Sequence, residues 1–257
     1  IRDDRMLPGQ LPVPATIGNR IALTATPGEF EPATFAIFAC SELSDVVLKA
    51  DDLQCGSNTI PASAIDLRIV KPWFQNGIST IGFRKNQRML VPELLLKDDD
   101  LIRVDEENQR NLMRSNDESG NVTYVDISSS DPDATPDVAP RDAKELQPFQ
   151  ISMDTLKQIW VTAHVPDDAA HGEYEGQIHI SSAAGPVGTV SVQLRVLPFQ
   201  LEPSQLVHSM YYGAKLGPNR GRPKMTAHAK NEQQLEAELQ NMAQHGLTAP
   251  TTYQPYN

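Results

Sequence analysis

Long apolar runs are missing from this chain of 257 residues, as are basic clusters, helical periodicity over most of its length, and all but two cysteines. No run approaches the eighteen or so apolar residues a bilayer-spanning helix requires, so no membrane span is expected. Lys and Arg number 22 against 33 Asp and Glu, a formal charge of -11, and the one basic concentration is Arg220-Gly221-Arg222-Pro223-Lys224. A phosphate backbone needs a concentrated positive surface, so no nucleic-acid partner is expected. The six histidines (164, 171, 179, 208, 228 and 245) form no HExxH pair, and none lies near a cysteine. That leaves no zinc motif. The stretch GPNRGRPK lacks the Gly-Lys-Ser/Thr ending of a phosphate loop, and no Gly-x-Ser-x-Gly elbow occurs. Neither a metal nor a cofactor is expected.

The chain opens Ile1-Arg2-Asp3-Asp4, without an initiator Met, a basic start or an apolar signal region. A cleaved leader and an artificial boundary both fit this, and the sequence does not separate them. The cysteines are Cys40, ending FEPATFAIFAC, and Cys55, in DLQCGSN. A bridge between them would close a loop of about fifteen residues, worth roughly 3 kcal/mol if chain entropy dominates. The spacing suits two neighbouring strand ends, so a Cys40–Cys55 disulfide is one expectation and two separate thiols the other.

What is present is mostly strand. IALTAT, FEPATFAIFA, VVLKADDL, IDLRIVKPW, RMLVPELLL, QIWVTAHV, GQIHISS and TVSVQLRVLPF are short, rich in Val, Ile, Leu and aromatics, and bounded by Gly, Pro, Asn or Asp. Twenty prolines fit turns and strand edges better than helices. The expected fold is mainly β, an antiparallel sandwich of immunoglobulin-like or jelly-roll-like type. Residues 105–147 read as a polar insertion with one short strand, VTYVDIS. Asp131, Asp133 and Asp137 have alternating spacing but no mid-loop Gly or closing Glu, so a solvated acidic loop is preferred to a calcium site. Asn121-Val122-Thr123 is a glycosylation sequon, a signal that arises easily by chance.

After Leu197-Pro198-Phe199 the pattern changes. VHSMYYGA reads as a buried strand, and LTAPTTY as another. Between them Leu235, Leu239 and Met242 give a helix one apolar stripe, with Asn231 as its cap and Gly246 as its stop. Strand, helix and strand make a βαβ unit with parallel strands, too small to bury both sheet faces alone. The division expected is a β-sandwich over 1–203 and, over 204–257, the first strand-helix-strand of an incomplete (β/α)8 barrel.

The most specific stretch is QIWVTAHVPDDAAHGEYEGQIHI (158–180), with Trp160, Val165-Pro166, Gly172, Tyr174 and Gly176. It resembles the strand pairs of bacterial polysaccharide-degrading proteins in which a β-sandwich precedes a (β/α)8 barrel. Glycoside hydrolase family 123 and its sandwich-plus-barrel relatives are the nearest likeness. GEFEPATFAIFA, IPASAIDLRIVK and LRVLPFQL extend it across most of 20–200. The resemblance implies a carbohydrate substrate, a secreted, periplasmic or cell-surface location, and the rest of its own barrel as a partner. Read physically, Trp160 and Tyr174 are expected in the core, Trp160 plugging the space between two sheets, against the alternative that both stack on sugar faces as in a carbohydrate-binding module. Trp73-Phe74 is expected near a loop, where Trp73 suits sugar contact or a buried hinge equally.

Glycosidases use paired carboxyl groups, or, in enzymes similar to family 123, an Asp-Glu pair assisting the substrate's own N-acetyl group. Either arrangement sits at the C-terminal ends of barrel strands. Between 203 and 257 the acids are Glu232, Glu236 and Glu238, all expected on the outer helix, away from the barrel mouth, with Glu and Gln filling the face opposite its apolar stripe. No catalytic residue is therefore expected in this chain, and the chemistry is expected beyond residue 257. Strand-end tyrosines are the candidates for sugar contact, Tyr212 and Tyr253 foremost, against the alternative of buried barrel tyrosines satisfied locally. Arg220 and Arg222 suit an anionic sugar or an exposed loop. The reading is thus an accessory region of a glycoside hydrolase, inactive alone. A non-catalytic carbohydrate-binding or adhesion module is the alternative, and a structural domain without a sugar ligand comes third.

Overall fold

The computed structural model describes residues 6–14, 17–76, 88–116, 121–129, 140–202, 204–216 and 229–251. The strands run β1 (Arg20–Ala25), β2 (Phe30–Phe38), β3 (Leu43–Ala50), β4 (Leu53–Cys55), β5 (Asn58–Ile60), β6 (Ile65–Asn76), β7 (Arg88–Leu96), β8 (Ile102–Asp105), β9 (Arg110–Asn116) and β10 (Val122–Asp126). Then come β11 (Phe149–Ile151), β12 (Leu156–His164), β13 (Gly172–Ser182), β14 (Gly185–Val196), β15 (Lys215–Leu216), β16 (Ala229–Lys230) and the helix α1 (Glu232–Gln244). The chain is mainly β and divides into two units, Ile1–Ile102 with Asp142–Leu201, and Arg103–Arg141 with Glu202–Asn257.

Two sheets build the first unit. One has the order β2-β12-β6-β7; the other runs β1-β14-β13-β3-β11, with β4 attached to β13 and β5 to β4. Both contribute to one hydrophobic core, because each strand alternates and turns its more apolar set inward. On β12 that set is Ile159, Val161 and Ala163; on β6, Ile65, Leu67 and Ile69; on β14, Val190, Val192, Leu194 and Val196. Burying one such aliphatic side chain contributes roughly 1.5–3 kcal/mol. Pairing is antiparallel except that β1 lies parallel to β14, with Ala25 opposite Val196. The first strand thus closes the sheet beside the last.

Trp160 is not in that core. Ile159 and Val161 are both fully buried, so Trp160 between them faces the other way and is half-buried. Alternation implies inward placement for one set only, and the aliphatic set takes it. Tyr174 does meet the core expectation: it is 1% exposed, and its hydroxyl donates to the Ala170 carbonyl at 2.8 Å, closing the loop that precedes β13. Gly172, at φ +152°, starts that strand; a Cβ there would stand 2.5 Å from Cys55 Sγ. No other residue fits so easily.

Between β6 and β7 the register slips after Lys71 pairs with Leu94, and Pro72 then faces Pro92. Neither proline has an N–H to offer the ladder, so the break falls where it costs least. Trp73 and Phe74 lie beyond it, within β6 and opposite Val91 and Leu90. They lie close to the end of the strand at Asn76.

Nearly all of β8, and all of β9 and β10, lie in the second unit, where they form a three-stranded sheet in the order β10-β9-β8. The polar stretch holds more strand than VTYVDIS alone, because Met113 on β9 is fully buried despite its polar neighbours. Arg103 places its guanidinium 3.8 Å from the Tyr124 ring centroid, a cation–π contact. Asp131, Asp133 and Asp137 lie outside the described residues.

Toward the C-terminus, α1 begins at Asn231 with a reciprocal capping box: Asn231 accepts from Gln234 N, and the Gln234 side chain accepts from Asn231 N. Tyr211 and Thr251 form a parallel bridge on either side of the helix. Of the stretch read as a buried strand, residues 207–211 are exposed instead, with Val207 at 75% and Tyr211 at 76%, while Tyr212 is half-buried and Ala214 buried.

Candidate functional site

Tyr212 follows the parallel bridge, and its backbone N–H donates to the Thr251 carbonyl at 2.9 Å. Its hydroxyl donates to Glu238 Oε2 on α1, and Lys230 Nζ donates to Glu238 Oε1 at 2.6 Å. Burial, followed by the Glu238 hydrogen bond and charge, pushes the Tyr212 hydroxyl well above its ordinary range. Tyr212 is therefore satisfied locally by the helix. Glu238 is not on the outer face as expected: it shares the inward side of α1 with Leu235 and Met242, whereas Glu232 and Glu236 are exposed. Tyr253, Arg220 and Arg222 lie outside the described residues.

Trp73 is half-buried, and its indole N–H donates to Glu93 Oε1 at 2.5 Å, an oxygen that Gln75 also binds. Its hydrogen-bond donor is thus occupied, leaving the ring for any stacking contact. Cys40 and Cys55 are two free thiols rather than a bridged pair. Cys40 follows β2 in one sheet, whereas Cys55 ends β4 in the other; sequence spacing did not carry that information.

Two carboxylates of the first unit, Asp99 and Asp66, are each held by two cationic side chains. Asp99, in a short 3-10 turn before β8, takes Lys71 Nζ at 3.0 Å on one oxygen and Lys157 Nζ at 2.8 Å on the other. Burial raises Asp99, but the two ammonium groups outweigh it and hold the carboxyl below its usual range. Lys71 shares that single carboxylate with a second lysine, and burial holds its ammonium below the usual range. On the outer side of β6, Asp66 accepts from Arg68 Nε at 2.6 Å and from Lys97. Burial works against the charge of Asp66, and those two donors again prevail, lowering it. In the second unit Asp105 is lowered mainly by the backbone N–H and side chain of Asn108.

A shallow cleft of about 490 Å3 lies on the outer side of the larger sheet, over Gly176. Gln54, Glu175, Gln177, Ser191 and Gln193 line it, joined by Asp51, whose carboxylate meets His179 Nε2 at 2.7 Å. Gln193 accepts from Arg20 and donates to Glu175 at 3.1 Å, so the polar groups largely satisfy one another. Among the described residues, no group of three or more His, Cys, Asp or Glu is placed to hold a metal ion. Among the same residues no helix is long and apolar enough to cross a membrane.

Comparison with curated proteins returns no match. Among solved structures, the chain is similar to one described as "The details of glycolipid glycan hydrolysis by the structural analysis of a family 123 glycoside hydrolase from Clostridium perfringens". Identity is 15% and the TM-score 0.44, over 75% of this chain. The chain spans only 25% of the length of that one. Residues 12–182 match the family described as "Glycoside hydrolase 123 N-terminal domain". That match covers well over half of the sequence and includes every strand from β1 to β13. The chain belongs to the glycoside hydrolase 123 N-terminal domain family.

Proposed function

We propose that this chain is the accessory, non-catalytic β region of a glycoside hydrolase whose catalytic carboxylates lie in another part of the protein. The family match over residues 12–182 carries the reading. In it the two sheets of the first unit act as a β-sandwich, and the C-terminal strand-helix-strand opens a (β/α)8 barrel. The parallel bridge between Tyr211 and Thr251, with α1 between them, supports that second part. So does the run of exposed apolar side chains at Leu206, Val207, Met210, Tyr211 and Leu216. Contiguous exposed apolar residues call for a cover, which further barrel strands would supply.

The electrostatics favour the same division of labour. A glycosidase acid needs a carboxyl held protonated, with its acidity weakened. Asp66, Asp99 and Asp105 are shifted the opposite way. The substrate of the whole protein is a glycan in this reading, met outside the cytoplasm at the periplasm or cell surface. The test is an assay of this chain and of the full-length protein on p-nitrophenyl glycosides, N-acetylhexosaminides included. Turnover by the full-length protein and none by this chain is expected. Hydrolysis by this chain alone would overturn the proposal.

A further inference from the structure

The outer side of the sheet β2-β12-β6-β7 carries a group of side chains that the core does not use. Down β12 the outward residues are Gln158, Trp160, Thr162 and His164, because Ile159, Val161 and Ala163 point inward. In register beside Trp160 stand Thr34 on β2 and Arg68 on β6. The indole N–H of Trp160 donates to Thr162 Oγ1 at 3.2 Å, two residues along the same strand and on the same face. An indole that reaches that far along its own strand leans over the sheet, rather than standing up from it.

The surroundings of the ring are polar and ordered. Gln158 Nε2 donates to Thr34 Oγ1 at 3.0 Å, and that hydroxyl donates to the Ile159 carbonyl at 2.8 Å. Asp66, opposite Thr162, is fixed by Arg68 and Lys97. On the β2 side, Pro32, Thr34 and Ala36 are small and exposed, so no bulky side chain on that strand walls off the ring. At the end of the row the His164 imidazole stacks on Phe30, centroids 4.1 Å apart and planes within 6°. Four residues of strand separate His164 from Trp160, about 13 Å of extended chain.

We propose that this face is a non-catalytic contact site for a neutral oligosaccharide, with the Trp160 ring beneath a sugar ring and Gln158, Thr34 and Asp66 meeting its hydroxyls. One apolar plate among amide, hydroxyl and carboxylate groups matches a ligand with an apolar C–H face and a hydroxyl rim. A protein partner would call for a broader apolar patch than this mixture provides. The site adds a function to the accessory region and holds wherever the catalytic carboxylates are, since binding and turnover are measured separately.

Tryptophan emission tests it, because Trp73 and Trp160 are the two tryptophans in the chain. Cellotetraose, chitotetraose and lacto-N-tetraose are titrated into the chain and into Trp73→Phe, Trp160→Ala and Gln158→Ala, with circular dichroism and thermal melts confirming each fold. At least one sugar is expected to shift emission saturably in the parent and in Trp73→Phe. Binding should fall about tenfold or more in Trp160→Ala and more modestly in Gln158→Ala. For Trp160→Ala and Gln158→Ala, calorimetry replaces emission as the readout. If none of the three sugars binds the parent chain, the proposal is overturned. It is equally overturned if Trp160→Ala binds as tightly as the parent, and a lowered melting temperature with unchanged binding would mark the ring as packing only.

Discussion

Tyr212 donates its hydroxyl hydrogen to Glu238, 26 residues further along the chain, while Lys230 donates to the other oxygen of the same carboxylate. One acidic side chain thereby ties α1 to two segments that precede it, at Tyr212 and at the end of β16. Burial and this carboxylate raise Tyr212 far above the ordinary tyrosine value near 10, and burial also raises Tyr174. A group whose folded value is raised adds stability that is complete below its unfolded value and lost as pH climbs through the folded one. In a tyrosinate absorbance titration Tyr174 and Tyr212 should therefore ionise above the ordinary tyrosine range, with stability declining above about pH 10. Glu238→Gln should move the Tyr212 transition down, and Tyr212→Phe should cost about 1 kcal/mol in denaturant unfolding. A titration completed within the ordinary tyrosine range would contradict the geometry.

Asp99 holds two lysines, and its side chain is 19% exposed, against 13% for Lys71 and 17% for Lys157. Asp99→Asn leaves two half-buried ammonium groups facing each other without a counter-charge. A loss of roughly 3 kcal/mol in urea unfolding at neutral pH is expected. Because the folded value of Asp99 is depressed, its contribution is present above the unfolded value near 3.8 and disappears as pH falls through the folded one. The parent and Asp99→Asn should thus converge in stability only in strong acid. A neutral-pH difference too small to measure would contradict the clamp.

Cys40 is exposed, and Cys55 is partly buried with its sulfur close over Gly172. A thiol reagent should titrate two thiols per chain without prior reduction, one fast and one slow. Reducing agent should leave the melting temperature unchanged. Fewer than two thiols in the unreduced protein would restore the bridge that the sequence spacing suggested.

Much of the fold could be read from residues alone, and its failures have identifiable causes. Alternation marked β12 but left open which of its two sets faced inward. Comparing Ile159, Val161 and Ala163 with Gln158, Trp160, Thr162 and His164 settles the question, because the second set carries the polar groups. The size of Trp160 concealed this. Glu238 was misplaced for a similar reason: its charge suggested the outer face, although it stands three residues after Leu235 and four before Met242, on the helical side they share. β9 was hidden because its two buried positions are Asn111 and Met113, so only one apolar side chain marks the inward face, while Leu112 falls on the other. Among the strand-end candidates, Tyr212 lies against the helix, a contact that strand position could not reveal.

The central claim is that this chain supports glycan hydrolysis without performing it, and glycoside turnover measures that directly. Release of p-nitrophenol is followed for this chain, for the full-length protein, and for a mixture of the two. The expected result is hydrolysis by the full-length protein, no rate above the uncatalysed background for this chain, and no stimulation when it is added. Turnover by this chain alone, abolished by substitution of one of its own carboxylates, would contradict the claim.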